Sequence, residues 1–374
     1  MKRSIKLLTL FDIPIEINYT WFIILGLVVF TLASGYFPAT NPELGPPAHW
    51  LMALIAALLL FASLLAHELA HSVVAMRNDL PIHGITLFVF GGVAQLGEEP
   101  ATPAVELKMA AAGPALSLAL SLLCFSLTQI FFQLRLPTPL LSITNYLFII
   151  NLAVALFNLI PGFPLDGGRL LRAAIWHWTG DLRRATRAAS YLGKVFAFLF
   201  MGAGILYLFT GLAVSGIWFI FIGFFLMEAA DSSYRQVAMK KLLSGLRVGG
   251  IMSQNVVAVP ADITLARLVE EYFFRFRFAS FPVTDDDRLV GLLTFHAVKE
   301  IEREKWPLIT AREAMLPVTP RMTIDPHAEL TEALGRLGAS GVGRLLVMEN
   351  GKLVGILSQR DIMSLFEYKT EVEG

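Results

Sequence analysis

The chain reads as a polytopic α-helical membrane protein with about six transmembrane helices and short membrane-associated β strands, followed by a C-terminal α/β module of two similar copies. Three observations predict this class. Hydrophobic residues fill 55% of the 374 positions and charged residues only 16%, with a mean hydropathy of +0.63, whereas about a quarter of an ordinary soluble domain is charged. Six apolar stretches reach the roughly 20 residues that a helix needs to cross the hydrocarbon core. Beyond Ala230 charged residues return, apolar runs shorten to four or five, and one pattern recurs at an offset of 63 to 64 residues.

Lys2, Arg3 and Lys6 open the chain, but Asp12, Pro14, Glu16 and Asn18 interrupt any apolar core before a small-residue cleavage site. Residues 4–18 are therefore expected to be short strands leading to the first span rather than a signal peptide. The expected spans run from Tyr19 to Phe37, Trp50 to Met76, Val105 to Phe132, Leu140 to Ile160, Tyr191 to Thr210 and Leu212 to Ala230. Lysine and arginine are nearly absent from one set of loops, which holds only Arg135. They crowd the other set, with Arg77, Lys108, Arg169, Arg172, Arg183, Arg184, Arg187, Arg235, Lys240, Lys241 and Arg247. By the positive-inside rule this predicts a multi-pass protein of the cell membrane with both termini cytoplasmic.

The balance of 30 basic and 30 acidic residues offers no bulk attraction for nucleic acid, and no nucleic-acid partner is expected. The single cysteine, Cys124, lies in an apolar segment, which argues against a disulfide framework or a thiol protease.

Near the end of the second span stands His67-Glu68-Leu69-Ala70-His71. A 3.6-residue repeat puts the two histidines on one helix face, where their imidazoles can grip one zinc ion, with Glu68 beside them as a base for an attacking water. The flanking apolar run places this chemistry within or at the edge of the bilayer, toward the cytoplasmic leaflet. Two histidines leave the site a protein ligand short. The strongest candidate for the third is Asp166, in the run Asn158-Leu159-Ile160-Pro161-Gly162-Phe163-Pro164-Leu165-Asp166-Gly167-Gly168-Arg169 after span four. Two imidazoles and a carboxylate leave the fourth tetrahedral position open. The prolines and glycines are expected to break the helix, so that irregular backbone lining a cavity holds the aspartate at membrane depth. His49, His83 and His177 are expected at the surface rather than on a metal.

These residues, with Ala112-Gly113-Pro114-Ala115 in span three, resemble the site-2 protease family of intramembrane zinc metalloproteases over nearly all of residues 1–230. The resemblance implies one zinc ion per chain held by His67, His71 and Asp166, with Glu68 as general base and later proton donor. It implies a membrane-anchored protein substrate, such as a single-pass regulator, met in the lipid bilayer. Asn158 is implied to offer its amide to the substrate backbone or the developing oxyanion, although a satisfied helix-end amide is the competing reading. Ser117 departs from the asparagine of many relatives. Gly113 is read as permitting close helix approach beside the metal helix. The segment from Gly84 to Leu96 reads as a membrane-dipping hairpin, which either pairs its edge with an extended substrate or fills the protein core.

In the C-terminal region Ile251-Met252 and Leu289-Val290-Gly291-Leu292-Leu293-Thr294 are echoed by Ala314-Met315 and Leu353-Val354-Gly355-Ile356-Leu357-Ser358. Each copy reads as a strand, a helix, two strands and a helix, and Asn350-Gly351 predicts a tight hairpin turn in the second. The pair resembles tandem CBS domains. The resulting boundaries are 1–230 for the transmembrane part, 231–247 for a basic linker, and 248–305 and 306–374 for the two copies. The resemblance implies an adenine nucleotide such as ATP, bound through a hydroxyl and an aspartate three residues later, and a homodimer through the module; the competing reading is a pair that only folds and dimerises, with no ligand. Ser358 and Asp361 match that pattern; Thr294 does too, but Ala297 stands where its aspartate would be. The rival functions are a CBS-gated channel or transporter and an inactive metal-binding scaffold.

Overall fold

The computed structural model describes residues 4–89, 91–97, 99–286 and 288–373. Lys2, Arg3 and Phe90, and the side chains of Lys240 and Lys241, lie outside the described residues. Among those described, six helices are long and apolar enough to cross a membrane: α1 Thr20–Thr40, α2 Pro46–Met76, α3 Pro103–Gln133, α4 Thr138–Asn158, α6 Leu182–Phe209 and α7 Ala213–Leu243. A shorter helix, α5 Asp166–Thr179, follows α4. The chain is a multi-pass membrane protein.

Several boundaries differ from the sequence expectation, each for a local reason. Helix α2 starts at Pro46, four residues early, because proline at the first helical position lacks only an N–H that would be unpaired there anyway. Helix α6 starts at Leu182 rather than Tyr191; Asp181 caps it by accepting the backbone N–H of Arg183 at 2.8 Å, so the basic first turns are helical although they are not apolar. Helix α7 runs on through most of the expected linker, where no glycine or proline interrupts it before Gly245. Helix α5 has no apolar run to announce it, because it is amphipathic.

The N-terminal strands and the hairpin between α2 and α3 join in one sheet of order β1-β2-β3-β4, with β1 Ser4–Leu10, β2 Ile13–Asn18, β3 Ile82–Phe88 and β4 Gly91–Leu96. The central pair, β2 and β3, is parallel with Ile15 opposite Ile85, and both outer pairs are antiparallel. Ile13, Ile15 and Ile17 alternate inward along β2, as the period of two requires. Strand β4 is left as a sheet edge. Among the helices, Ala53, Ala56 and Ala57 of α2 are wholly buried, so its neighbours approach closely.

The C-terminal unit has two sheets, β5-β6-β7-β8 (Val259–Pro260, Ser280–Asp285, Arg288–Thr294, Leu316–Pro317) and β11-β10-β9 (Lys352–Ser358, Arg344–Glu349, Thr323–Ile324). The repeat is exact to the register: Val283 faces Gly291 and Val347 faces Gly355, each followed by a bulge. The copies are not packed as the linear boundaries suggest. Met252, which opens the first copy, lies against Gly355 of the second, and Met315 lies against Gly291 of the first. Val248 and Ile251 likewise join the core of the second copy, and Ala311 and Ala314 that of the first. Each copy thus takes its opening segment from before the other.

A side chain at Gly355 would displace Met252. Gly355→Val is expected to destabilise the module by about 1–3 kcal/mol, read as a lower melting temperature of the full-length protein, with Met252→Ala in the same chain recovering part of the loss.

Candidate metal centre

Helix α2 places His67 and His71 one turn apart on its buried face, with Nε2 atoms 3.2 Å from each other. Oδ2 of Asp166 lies 3.1 Å from both. The three ligand atoms therefore form a nearly equilateral triangle, built from two stretches almost a hundred residues apart.

The far sides of both rings are held by α3. Nδ1 of His71 meets the Met109 carbonyl at 2.7 Å, and Nδ1 of His67 meets the Ser117 hydroxyl at 2.8 Å. A carbonyl can only accept, so the neutral His71 ring carries its hydrogen on Nδ1 and presents a lone pair at Nε2. Gly113 stands between these two contacts. A Cβ there would run into Nε2 of both histidines, so only glycine lets α3 lie over the triangle.

Asp166 is the first residue of α5, and Gly167 and Gly168 are helical rather than part of a turn. The helix break expected from the sequence lies just before it, in the turns and bends of residues 159–165, whereas Asp166 itself opens a helix instead of standing in irregular backbone. The glycines serve close approach instead: a Cβ on either would collide with the backbone of the preceding loop. That loop is tied to α6, where the Phe163 N–H donates to the Ala189 carbonyl at 3.1 Å and Gly162 lies against Gly193. The Phe163–Pro164 peptide is cis.

Glu68 is half-buried beside the triangle. Gly92 of the edge strand β4 faces it, and a Cβ at that position would come 2.6 Å from Glu68 Cγ. Asn158 ends α4 and donates its amide to the Val154 carbonyl at 3.0 Å, the helix-end role. His83 and His177 are exposed as expected. His49 is buried, which corrects the surface expectation: inside the first turn of α2, its Nε2 meets the Asn41 carbonyl at 2.9 Å.

The donor set fits a zinc ion. Two imidazole nitrogens and one carboxylate oxygen with edges of 3.1–3.2 Å approach the roughly 3.3 Å edge of a tetrahedron with bonds of about 2.0–2.1 Å. At that range the three electron pairs repel unless a metal ion or a proton lies among them.

Residues 55–134 and 136–202 match the model of peptidase family M50, and residues 248–303 and 311–368 match the CBS domain. A relative from Synechocystis sp., sll0528, is 36% identical over 370 residues, covering 98% of this chain and 96% of its own. The chain belongs to the site-2 protease family, peptidase family M50. Rip3 of Mycobacterium tuberculosis is 34% identical over 369 residues, covering 98% of this chain and 94% of its own. MJ0392 of Methanocaldococcus jannaschii is 30% identical over 377 residues, with both chains fully covered. The words zinc metalloprotease stand in the names of all three. The solved site-2 protease of Methanocaldococcus jannaschii is 28% identical and covers 62% of this chain and 95% of its own, with a TM-score of 0.43. This member of the family carries a tandem CBS module.

Within the module the expected nucleotide residues cap helices. Ser358 donates through its backbone N–H and its hydroxyl to Asp361 Oδ2, at 2.8 and 2.7 Å, and Asp361 N–H donates back to the Ser358 hydroxyl at 3.3 Å. In the first copy Thr294 accepts the Ala297 N–H at 3.2 Å, and the Ala297 methyl has no polar atom to reciprocate. Arg344 was not singled out from sequence; it donates to the Ser280 hydroxyl at 2.6 Å and so links the two copies.

Sequence reasoning also missed the Met109 carbonyl, since a backbone atom carries no sequence signal. Gly113→Ala is expected to fold yet lose most of its zinc, measured as metal content of the purified protein. Ser117→Ala is expected to weaken metal retention by about 10- to 100-fold, the usual effect of removing an outer partner of a histidine ligand, read by chelator competition.

Proposed function

We propose that the protein is a zinc endopeptidase that cleaves transmembrane segments of membrane-anchored proteins. The observation that carries this reading is the convergence of His67, His71 and Asp166 beside Glu68, on helices that cross or border the membrane. His67, His71 and Asp166 are the zinc ligands in this reading. Zinc held there would polarise the scissile carbonyl and bring a water's pKa to about 7.

Glu68 takes the proton of the attacking water on its carboxylate and passes it to the nitrogen of the departing amine, which keeps the charge balance within the site. A helical substrate hides its amides in hydrogen bonds and must be locally unwound before attack. The β4 edge supports that step, since its outer side pairs with no strand among the described residues and can receive an extended one, and Gly92 brings β4 close to Glu68. Asn158 joins the substrate contacts if its amide exchanges the Val154 carbonyl for one on the substrate.

The loop asymmetry of lysine and arginine supports cytoplasmic termini. The CBS module is proposed to bind an adenine nucleotide through Ser358 and Asp361, with Thr294 in the less complete first copy. Such a ligand biases cleavage only through different affinities for the active and inactive states.

The test uses full-length protein in detergent with a single-span model substrate. Glu68→Gln is expected to keep its zinc and slow cleavage at least about 100-fold, while Asp166→Ala loses both. Equal turnover by wild type and Glu68→Gln would remove Glu68 from the chemistry, and bound zinc without any cleavage would favour the scaffold. For the module, Asp361→Ala is expected to weaken ATP binding in equilibrium dialysis about tenfold or more, as the loss of hydrogen bonds to a charged group implies; wild type that binds no ATP refutes the nucleotide assignment.

A further inference from the structure

Arg172 lies on α5, six residues after Asp166, and is buried. Its Nε donates to Oε1 of Glu106 on α3 at 2.6 Å, and its Nη2 bonds the same oxygen. Its guanidinium carbon also stands 5.1 Å from the centre of the Phe163 ring, in the loop that enters Asp166. Arg172 therefore ties the helix that begins at Asp166 both to the loop that enters it and to α3. Glu106 precedes Met109 by three residues and Gly113 by seven, so it shares the α3 face that fixes the two imidazoles.

As a stabilising device this pair is poor. Removing two charges from water costs several kcal/mol per ion, and the attraction recovers it only when the remaining lone pairs are satisfied. Glu106 is 0% exposed and its Oε2 has no hydrogen-bond partner among the described residues. Apolar side chains of the same volume would hold α3 and α5 together at least as well. They would not fix the direction and distance between the helices as a fork of two N–H groups on one oxygen does.

We propose that Glu106 and Arg172 are a positioning pair that holds the Asp166 carboxylate in register with His67 and His71. This rests on the zinc reading above. The pair touches no reacting atom; it sets where the third ligand stands relative to the other two.

The experiment compares full-length wild type, Glu106→Met/Arg172→Met and Arg172→Lys in detergent. It reads the melting temperature of the metal-free protein, zinc retention against a chelator series, and the visible absorption of the cobalt-loaded form. The double variant is expected to melt within a few degrees of wild type, to hold zinc about 10- to 100-fold less tightly, and to show a changed cobalt band. Arg172→Lys, which keeps the charge without the planar fork, is expected to fall between. A folded double variant with wild-type zinc retention and an unchanged cobalt spectrum would overturn the proposal. If the double variant does not fold, Arg172→Lys decides it on the same two readouts. Wild type that holds zinc no better than His67→Ala fails differently, because it sinks the metalloprotease reading itself and the positioning role with it.

Discussion

The convergence of two imidazole nitrogens and one carboxylate oxygen within 3.2 Å is the constraint around which the membrane unit is organised. Helix α2 supplies two donors at no topological cost, because a single turn brings His67 and His71 together. The third must be carried in from beyond α3 and α4, and each element on the way approaches the site at backbone distance. Gly113 lets α3 cross over the imidazoles, Gly167 and Gly168 let the first turn of α5 fold against its own loop, and Gly193 lets α6 receive that loop. A methyl group at any of these positions would meet atoms of the facing element well inside van der Waals distance, so that element would have to move.

The parts of this arrangement that were legible in the sequence are those with a period or a run. Six apolar stretches of spanning length predicted six helices, and the spacing of His67 and His71 predicted their shared face. Asp166 stood out because a carboxylate among apolar neighbours calls for a partner. The context of that carboxylate was legible in part: residues 159–165 break the helix as the prolines and glycines predict, but nothing marked Gly167 and Gly168 as helical residues that allow close packing. Nor did any signal reveal that β2 and β3, separated by two spanning helices, are neighbours in one sheet. Pairing between distant strands leaves a mark in hydrophobic alternation but none that says which strand is the partner.

The CBS module shows the same limit in another form. A repeat in sequence reports that two segments fold alike, and the matched registers of Val283 with Gly291 and Val347 with Gly355 bear that out. It does not report which copy a segment packs against. Met252 and Met315 are equivalent residues, and each rests on the glycine of the copy that precedes or follows its own. The exchange makes the two copies interdependent, because neither hydrophobic core is complete without a segment that the linear boundaries assign to the other. A perturbation in one copy is then felt in both.

The membrane setting sharpens the choice of groups at the metal centre. In water an imidazole can be oriented by solvent, but between helices its second nitrogen needs a fixed partner, since an unpaired polar group there costs several kcal/mol. The Met109 carbonyl and the Ser117 hydroxyl satisfy that need and in doing so turn both Nε2 atoms the same way. The carbonyl of Met109 is free to act because Gly113, four residues on, brings α3 close enough for His71 to reach it. One glycine therefore serves both sides of the ring: it clears the space in front of the Nε2 atoms and brings the acceptor within reach of Nδ1. The hydrogen bond that fixes the His71 ring and the gap in front of the two Nε2 atoms have the same origin, the depth to which α3 sinks against α2.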